Sequence, residues 1–151
     1  PDYSSAASDV YKRQLIEDQE KMSISDIFQK HNEKYFRDLE SITLKQYSEE
    51  SNFVISTGGG CVLRDQNLYI LRKGLVIYLK ISIETQFERV KNRTHRPLLN
   101  NVTKDTLVQL DKERGSVYSG ISNIEVDVSN LDKEDVLSTI IRRLESYSEK
   151  N

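Results

Sequence analysis

Four arginines and three consecutive glycines are the residues of this chain whose types and spacing carry chemistry. Arg37 follows Phe36 and precedes Glu40 by three positions. Arg89 lies in Gln86-Phe87-Glu88-Arg89, and Arg96 in Arg93-Thr94-His95-Arg96-Pro97-Leu98-Leu99. Arg114 precedes Gly115-Ser116-Val117-Tyr118. A guanidinium is a planar fork of donors that meets a carboxylate or phosphate bidentately, which a lysine cannot do. The glycines, Gly58-Gly59-Gly60, follow the apolar stretch Phe53-Val54-Ile55 and the hydroxyl pair Ser56-Thr57. Three glycines at a strand end supply positive φ or a backbone that something must approach closely. In an open α/β sheet, the carboxyl ends of the strands are where ligands bind. The chemistry implied is the binding of a small anion.

Each feature also has a local reading. The glycines make a tight strand-to-helix turn without any ligand. Arg37 and Glu40 form an exposed i,i+3 ion pair, worth about 0.2–0.5 kcal/mol. Arg89 decorates an exposed helix face, and Arg96 sits in a solvated basic loop. Arg114 is a cation placed where a helix ends, which the helix dipole favours. Loops on a rigid scaffold commonly close over ligands, so the segment from Arg93 to the Pro97-Leu98-Leu99 anchor also suits a lid over phosphates. The joint occurrence of four such arginines around a glycine platform is what favours a ligand site.

The elements that must position these residues follow from pattern and caps. Leu15 to Lys21 is the end of a helix. Ser23 or Ser25 caps a short helix, and Asn32 caps the next, where Tyr35, Phe36, Leu39, Thr43 and Tyr47 recur at helical spacing up to about Glu50. Phe53–Ser56 is a strand. Asp65–Lys73 is a helix closed by Gly74 as its C′ glycine. Leu75–Leu79 is apolar throughout, as in a parallel strand covered on both faces. Ser82 opens a helix to about Asn92, and Arg93–Asn101 is a loop. Thr103 caps a helix running towards Tyr118, Ile124–Val128 is a strand, and Asp132 caps a last helix. Val136, Leu137, Ile140, Ile141 and Leu144 form its inner face. This alternation predicts an α/β fold with a parallel sheet and right-handed crossovers. Three clear strands are few for such a sheet. Residues 1–14, PDYSSAASDVYKRQ, have no helical or strand period. They resemble translated adaptor sequence, or otherwise a disordered tail, and are set outside the fold.

The totals exclude several classes. A length of 151 residues suits one domain with a real core. A net charge of −2 implies no general field for nucleic acid or an anionic membrane. No apolar run is long enough to span a bilayer. The single cysteine, Cys61, excludes an internal disulfide framework and fits a reducing cytosol. It reads as a small buried apolar residue, with a catalytic thiol the lesser alternative because His31 and His95 are distant in sequence. Both histidines read as surface residues. No group of Cys, His and carboxylates has metal-ligand spacing.

With these residues in place, the chain from about Leu15 to Leu144 resembles the shikimate kinases. The landmarks are Ile16-Glu17, Ile24, Ile27-Phe28, Phe36-Arg37-x-x-Glu40, Thr57-Gly58-Gly59-Gly60-x-Val62-Leu63 and Ser82-x-Glu84 ahead of Arg89. Arg96-Pro97-Leu98-Leu99, Arg114-x-x-x-Tyr118 and Val126-Asp127 follow. The resemblance implies a P-loop kinase-like parallel sheet covered by helices, over residues 15–148. It implies ATP-dependent phosphorylation of the shikimate 3-hydroxyl with Mg2+, on the way to chorismate and the aromatic amino acids. It implies a cytoplasmic monomer with no nucleic-acid or membrane partner. By position, Arg37 and Arg114 would hold the shikimate carboxylate, while Gly58 and Gly59 would contact the substrate through the backbone. Arg96 would reach the ATP phosphates as the catalytic lid residue, and Arg89 would lie near the adenine.

The sequence departs from the family pattern in four respects. No G-x-x-x-x-G-K-[ST] occurs, and no glycine is followed by lysine; that motif supplies the phosphate cradle, its lysine and the Mg2+ hydroxyl. The family's Asp-x-Asp should fall just before Leu15, where Val10-Tyr11-Lys12-Arg13-Gln14 stands. The family's first strand is also missing, which leaves the sheet incomplete. These 151 residues are therefore expected not to phosphorylate shikimate. The alternative is a non-catalytic kinase-fold module that binds a small carboxylate or a protein partner. Gly115-Ser116 stands where relatives often have Asn-Pro, and is expected to loosen the end of that helix.

Overall fold

Short polar side chains fix where most helices begin. The computed structural model describes residues 8–50, 53–91 and 102–150, which cluster into two compact units, 1–74 and 75–151. In the first unit, β1 (Ser8–Tyr11) leads directly into α1 (Lys12–Glu20). Lys21, at φ 55°, turns the chain towards α2 (Ile24–Lys30). Of the two serines considered, Ser23 is the cap, its Oγ accepting the Asp26 N–H at 3.1 Å. Asn32 caps α3 (Glu33–Ser48) by accepting the Tyr35 N–H at 2.9 Å. Such caps satisfy helix N–H groups that have no partner within the helix. Glu17 accepts the Ile24 N–H at 2.8 Å and so ties α1 to the start of α2. The core of this unit is Ile16, Ile24, Ile27 and Phe36, with the Phe28 ring tilted against Phe36 at a centroid distance of 5.0 Å.

β2 (Phe53–Ser56) pairs with β1 in parallel, Ser8 opposite Phe53 and Tyr11 opposite Ser56. Residues 8–14 thus differ from the expectation that 1–14 lies outside the fold: Ser8–Tyr11 is a strand and Lys12 opens a helix. Local pattern did not reveal this because the pairing is made with a strand about 45 residues away. The glycine turn leads into a short 3-10 helix, Gly59–Leu63, and then α4 (Asp65–Leu71). Gly74 is not the expected left-handed C′ residue, since Gly58 is the glycine with positive φ among the described residues. The α4 end closes instead by tight bonds from Lys73 N–H to the Ile70 carbonyl and Gly74 N–H to the Leu71 carbonyl, both 3.1 Å.

In the second unit, β3 (Ile77–Lys80), α5 (Ile83–Lys91), α6 (Lys104–Ile121), β4 (Ile124–Asp127) and α7 (Lys133–Ser148) follow in order. Thr103 and Asp132 cap α6 and α7, as their sequence positions predict. β3 and β4 pair in parallel with Ile77 opposite Ile124 and Lys80 opposite Asp127. Side chains fasten both ends of this pair. Asn123 Oδ1 accepts the Val76 N–H at 2.8 Å, and Ser129 Oγ accepts the Ser82 N–H at 2.8 Å. The core here is Ile124, Val126 and Val128, covered by Ile77, Val136, Ile140 and Leu144.

Two packing expectations are corrected in this unit. Leu75 and Leu79 are exposed, so the β3 segment is not covered on both faces within its unit. Leu137 and Ile141 are 59% and 40% exposed, so the buried stripe of α7 is narrower than predicted. Val136, Ile140, Leu144 and Tyr147 keep an i, i+4, i+8, i+11 line on the sheet, and Leu137 and Ile141, one position along, turn away from it.

Candidate functional site

The triple glycine meets Arg37. Gly58 takes φ 70°, a conformation that L side chains rarely adopt. Two residues on, Gly60 lies so close to Arg37 that a Cβ there would fall 2.2 Å from Nη1 and 2.6 Å from Cζ. The absent side chain is what lets the guanidinium lie against the turn. Beneath the turn, Asn67 is buried and donates from Nδ2 to the Cys61 carbonyl at 2.9 Å. Cys61 itself is fully buried, and burial foremost raises its thiol pKa, so it is a packing residue here as expected.

α3 presents Arg37, and two carboxylates orient it. Nη1 donates to Glu40, while Nη2 and Nε donate to Glu33 Oε1 at 3.0 and 3.3 Å. The i,i+3 partner is not an exposed one. Glu40 is 3% exposed, and its other oxygen pairs at 2.9 Å with Lys12 Nζ, which is fully buried. Burial acts against the charge of Arg37, but Glu40 and then Glu33 outweigh it and hold its pKa above the ordinary value. A guanidinium carries five N–H groups. Three are engaged by these carboxylates, which leaves one hydrogen on each Nη. Two such donors side by side match the two oxygens of a carboxylate.

The second unit holds Arg114 and Arg89. The helix expected to run towards Tyr118 and to end over Gly115–Tyr118 extends slightly further: α6 continues through Gly115 and Ser116 to Ile121. Gly115 is not a break there, because the helix passes it without positive φ and the Asp111 carboxylate lies over it, 2.9 Å from where a Cβ would be. Arg114 is half-buried, and its Nε–H is buried without a hydrogen-bond partner. A buried donor left unpaired costs about 1–3 kcal/mol, which an oxygen of a ligand would recover. One turn along the same helix, Tyr118 packs at 5.0 Å on Tyr78. Arg89 is exposed overall, yet its Nη2 donates to the carbonyls of Val128 at 3.1 Å and Leu131 at 3.5 Å.

The structure therefore brings Arg37 against Gly60 of the glycine turn. Arg114 and Arg89 stand on different helices of the other unit, and Arg96 and His95 lie outside the described residues. His31 is exposed and stacks at 4.3 Å on Tyr35. Sequence reasoning missed Lys12, Glu33, Arg64 and Asn67. For Glu33 a signal existed, since it precedes Arg37 by four positions on one helix face. Among the described residues, no group of three or more His, Cys, Asp and Glu is placed to hold a metal ion. These 151 residues contain no Gly-Lys-Ser/Thr loop, the motif whose backbone cradles nucleotide phosphates.

Residues 12–145 match the family model described as shikimate kinase. A shikimate kinase of Clostridium botulinum is 36% identical over 136 residues, covering 88% of this chain and 78% of that protein. One from Dictyoglomus turgidum is 40% identical, covering 87% and 78%. Among solved structures, the shikimate kinase of Acinetobacter baumannii in complex with shikimate superposes with a TM-score of 0.82 at 26% identity, over 95% of this chain and 81% of that one. The Aquifex aeolicus shikimate kinase gives 0.79 at 33% identity, over 93% and 82%.

Proposed function

Because the chain belongs to the shikimate kinase family, we propose that residues 15–148 are the acceptor-gripping part of an enzyme that phosphorylates shikimate with ATP and Mg2+. Arg37 and Arg114 hold the shikimate carboxylate, and the backbone of Gly58 and Gly59 supports the ring. Arg96 reaches the ATP phosphates, and Arg89 stands near the base. The chain acts as a cytoplasmic monomer without nucleic-acid or membrane partners. No helix among the described residues is long and apolar enough to cross a membrane.

The observation that carries this reading is the Arg37 guanidinium, oriented by Glu40 and Glu33 with one hydrogen on each Nη left over, in the space that Gly60 leaves by having no side chain. Transfer of a phosphoryl group needs positioning and charge stabilisation more than covalent chemistry. Fixing the carboxylate at one end of a rigid ring fixes the hydroxyls at the other, which is the positioning a kinase requires. ATP with Mg2+ supplies the phosphoryl group when bound; the residues of this chain grip and orient the acceptor.

Calorimetric titration of shikimate tests the clamp. Arg37→Ala and Arg114→Ala are each expected to weaken binding at least about tenfold, or roughly 1.4 kcal/mol. Unchanged affinity in both removes the clamp assignment. The absence of G-x-x-x-x-G-K-[ST] from these 151 residues favours a second reading, in which the chain binds a small carboxylate without turnover. Shikimate-dependent conversion of ATP to ADP by this chain, with the phosphoryl group recovered on shikimate, would rule that reading out.

A further inference from the structure

Arg64 stands at the joint between the 3-10 helix and α4 and is not explained by the clamp. Its backbone belongs to α4, since the Arg64 carbonyl accepts the N–H groups of Asn67 at 3.0 Å and Leu68 at 3.1 Å. Its side chain reaches back to α3. Nη1 donates to Asp38 Oδ1 at 2.7 Å and to Ser41 Oγ at 3.4 Å, and Nη2 to the Lys34 carbonyl at 3.4 Å. Ser41 Oγ in turn donates to the Arg37 carbonyl at 3.0 Å. The guanidinium thus spans the helical turn that carries Arg37. Four residues before Arg64, Gly60 presses on the Arg37 guanidinium.

We propose that Arg64 is a positioning residue that sets the spacing between the glycine turn and Arg37, and so the width of the slot that receives a ligand carboxylate. The ligand part rests on the reading of Arg37 given above. The physical argument is geometric. The 3-10 helix has one side-chain bond underneath, from Asn67, and one anchor at its far end, the Arg64 fork on α3. Hydrogen bonds with a charged partner are shorter and stronger than those of a neutral pair. A lysine at 64 would keep the attraction to Asp38 but could not reach Ser41 and the Lys34 carbonyl with one planar group.

The test joins amide exchange with shikimate titration for the wild-type chain, Arg64→Ala and Arg64→Lys. With Arg64→Ala, the amides of Gly60, Cys61 and Val62 are expected to exchange about tenfold faster while those of Ile27 and His31 keep their rates, because loss of about 1.4 kcal/mol is local. Shikimate affinity should fall by about the same factor, and Arg64→Lys should fall between the two. Unchanged exchange at Gly60–Val62 overturns the proposal. Exchange that quickens equally at Ile27 and His31 also overturns it, as that marks a general loss of structure. Faster local exchange with undiminished shikimate affinity refutes the link to the ligand. A wild-type chain that binds no shikimate refutes the functional reading alone, and the exchange rates then still decide whether Arg64 sets the turn.

Discussion

Gly60 and Arg37 share one space: a methyl group on the glycine would stand 2.2 Å from Nη1 of the arginine. The atom in the way is the end of a flexible side chain, so the chain can accommodate the methyl by swinging the guanidinium aside. Gly60→Ala is expected to cost about 1–3 kcal/mol: Gly60 lacks the positive φ that would add strain, but the displaced guanidinium leaves the buried Glu40 carboxylate. Shikimate binding should fall at least about tenfold as Arg37 leaves its place. Chemical denaturation and calorimetry on one preparation separate the two effects.

Glu33 competes for Arg37. Its side chain is 64% exposed and takes both Nε and Nη2. An exposed pair of this kind contributes little to stability, about 0.3–0.5 kcal/mol. Glu33→Gln keeps an oxygen that can accept from the guanidinium but removes a negative charge from beside an incoming carboxylate. The expected outcome is shikimate affinity raised about two- to fivefold, with the gain shrinking at high salt. Weaker binding would show that the orienting effect of the Glu33 charge outweighs its competition with the ligand.

Glu40 holds two buried or half-buried cations, Lys12 and Arg37, in one carboxylate. Removing it leaves the buried Lys12 without its carboxylate partner. Breaking a buried pair from one side costs about 3–5 kcal/mol. Glu40→Ala should lose that much in urea unfolding. Replacing Lys12 and Glu40 together by methionine and leucine should cost far less than Glu40→Ala alone.

Acid should loosen the α3–α4 connection. The bond from Arg64 foremost, and then Lys34, holds the Asp38 carboxyl below its ordinary value of 3.8. A carboxyl whose folded pKa is depressed adds stability above the unfolded value, and that contribution fades as pH falls through 3.8 towards the folded one. Urea midpoints measured downward from pH 5 should therefore drop more steeply in the wild-type chain than in Asp38→Asn. Parallel curves would show that the Asp38–Arg64 contact is not formed in solution.

Much of this was open to reading in the sequence wherever the physics is local. Asn32, Thr103 and Asp132 cap helices through bonds to residues three positions on, and a short window contains both partners. The Arg37–Glu40 pair and the glycine turn were visible for the same reason, as motifs. What the sequence hid depends on distant partners. The burial of Lys12 rests on Glu40, far along the chain. The run of α6 past Gly115 depends on residues either side keeping helical bonds that outweigh the roughly 1 kcal/mol cost of one glycine. The pressing of Gly60 on Arg37 joins two motifs that nothing in the linear order connects.

The paired fastenings of β3 and β4 bear on how the second unit assembles. Asn123 and Ser129 flank β4 and grip Val76 and Ser82, which flank β3. A pairing shifted by one residue would break both grips at once and turn Val126 from core to solvent. Misaligned encounters thus forfeit every fastening together and separate again. The two ends act as a proofreading device, which discards a wrong alignment before α7 can pack over it.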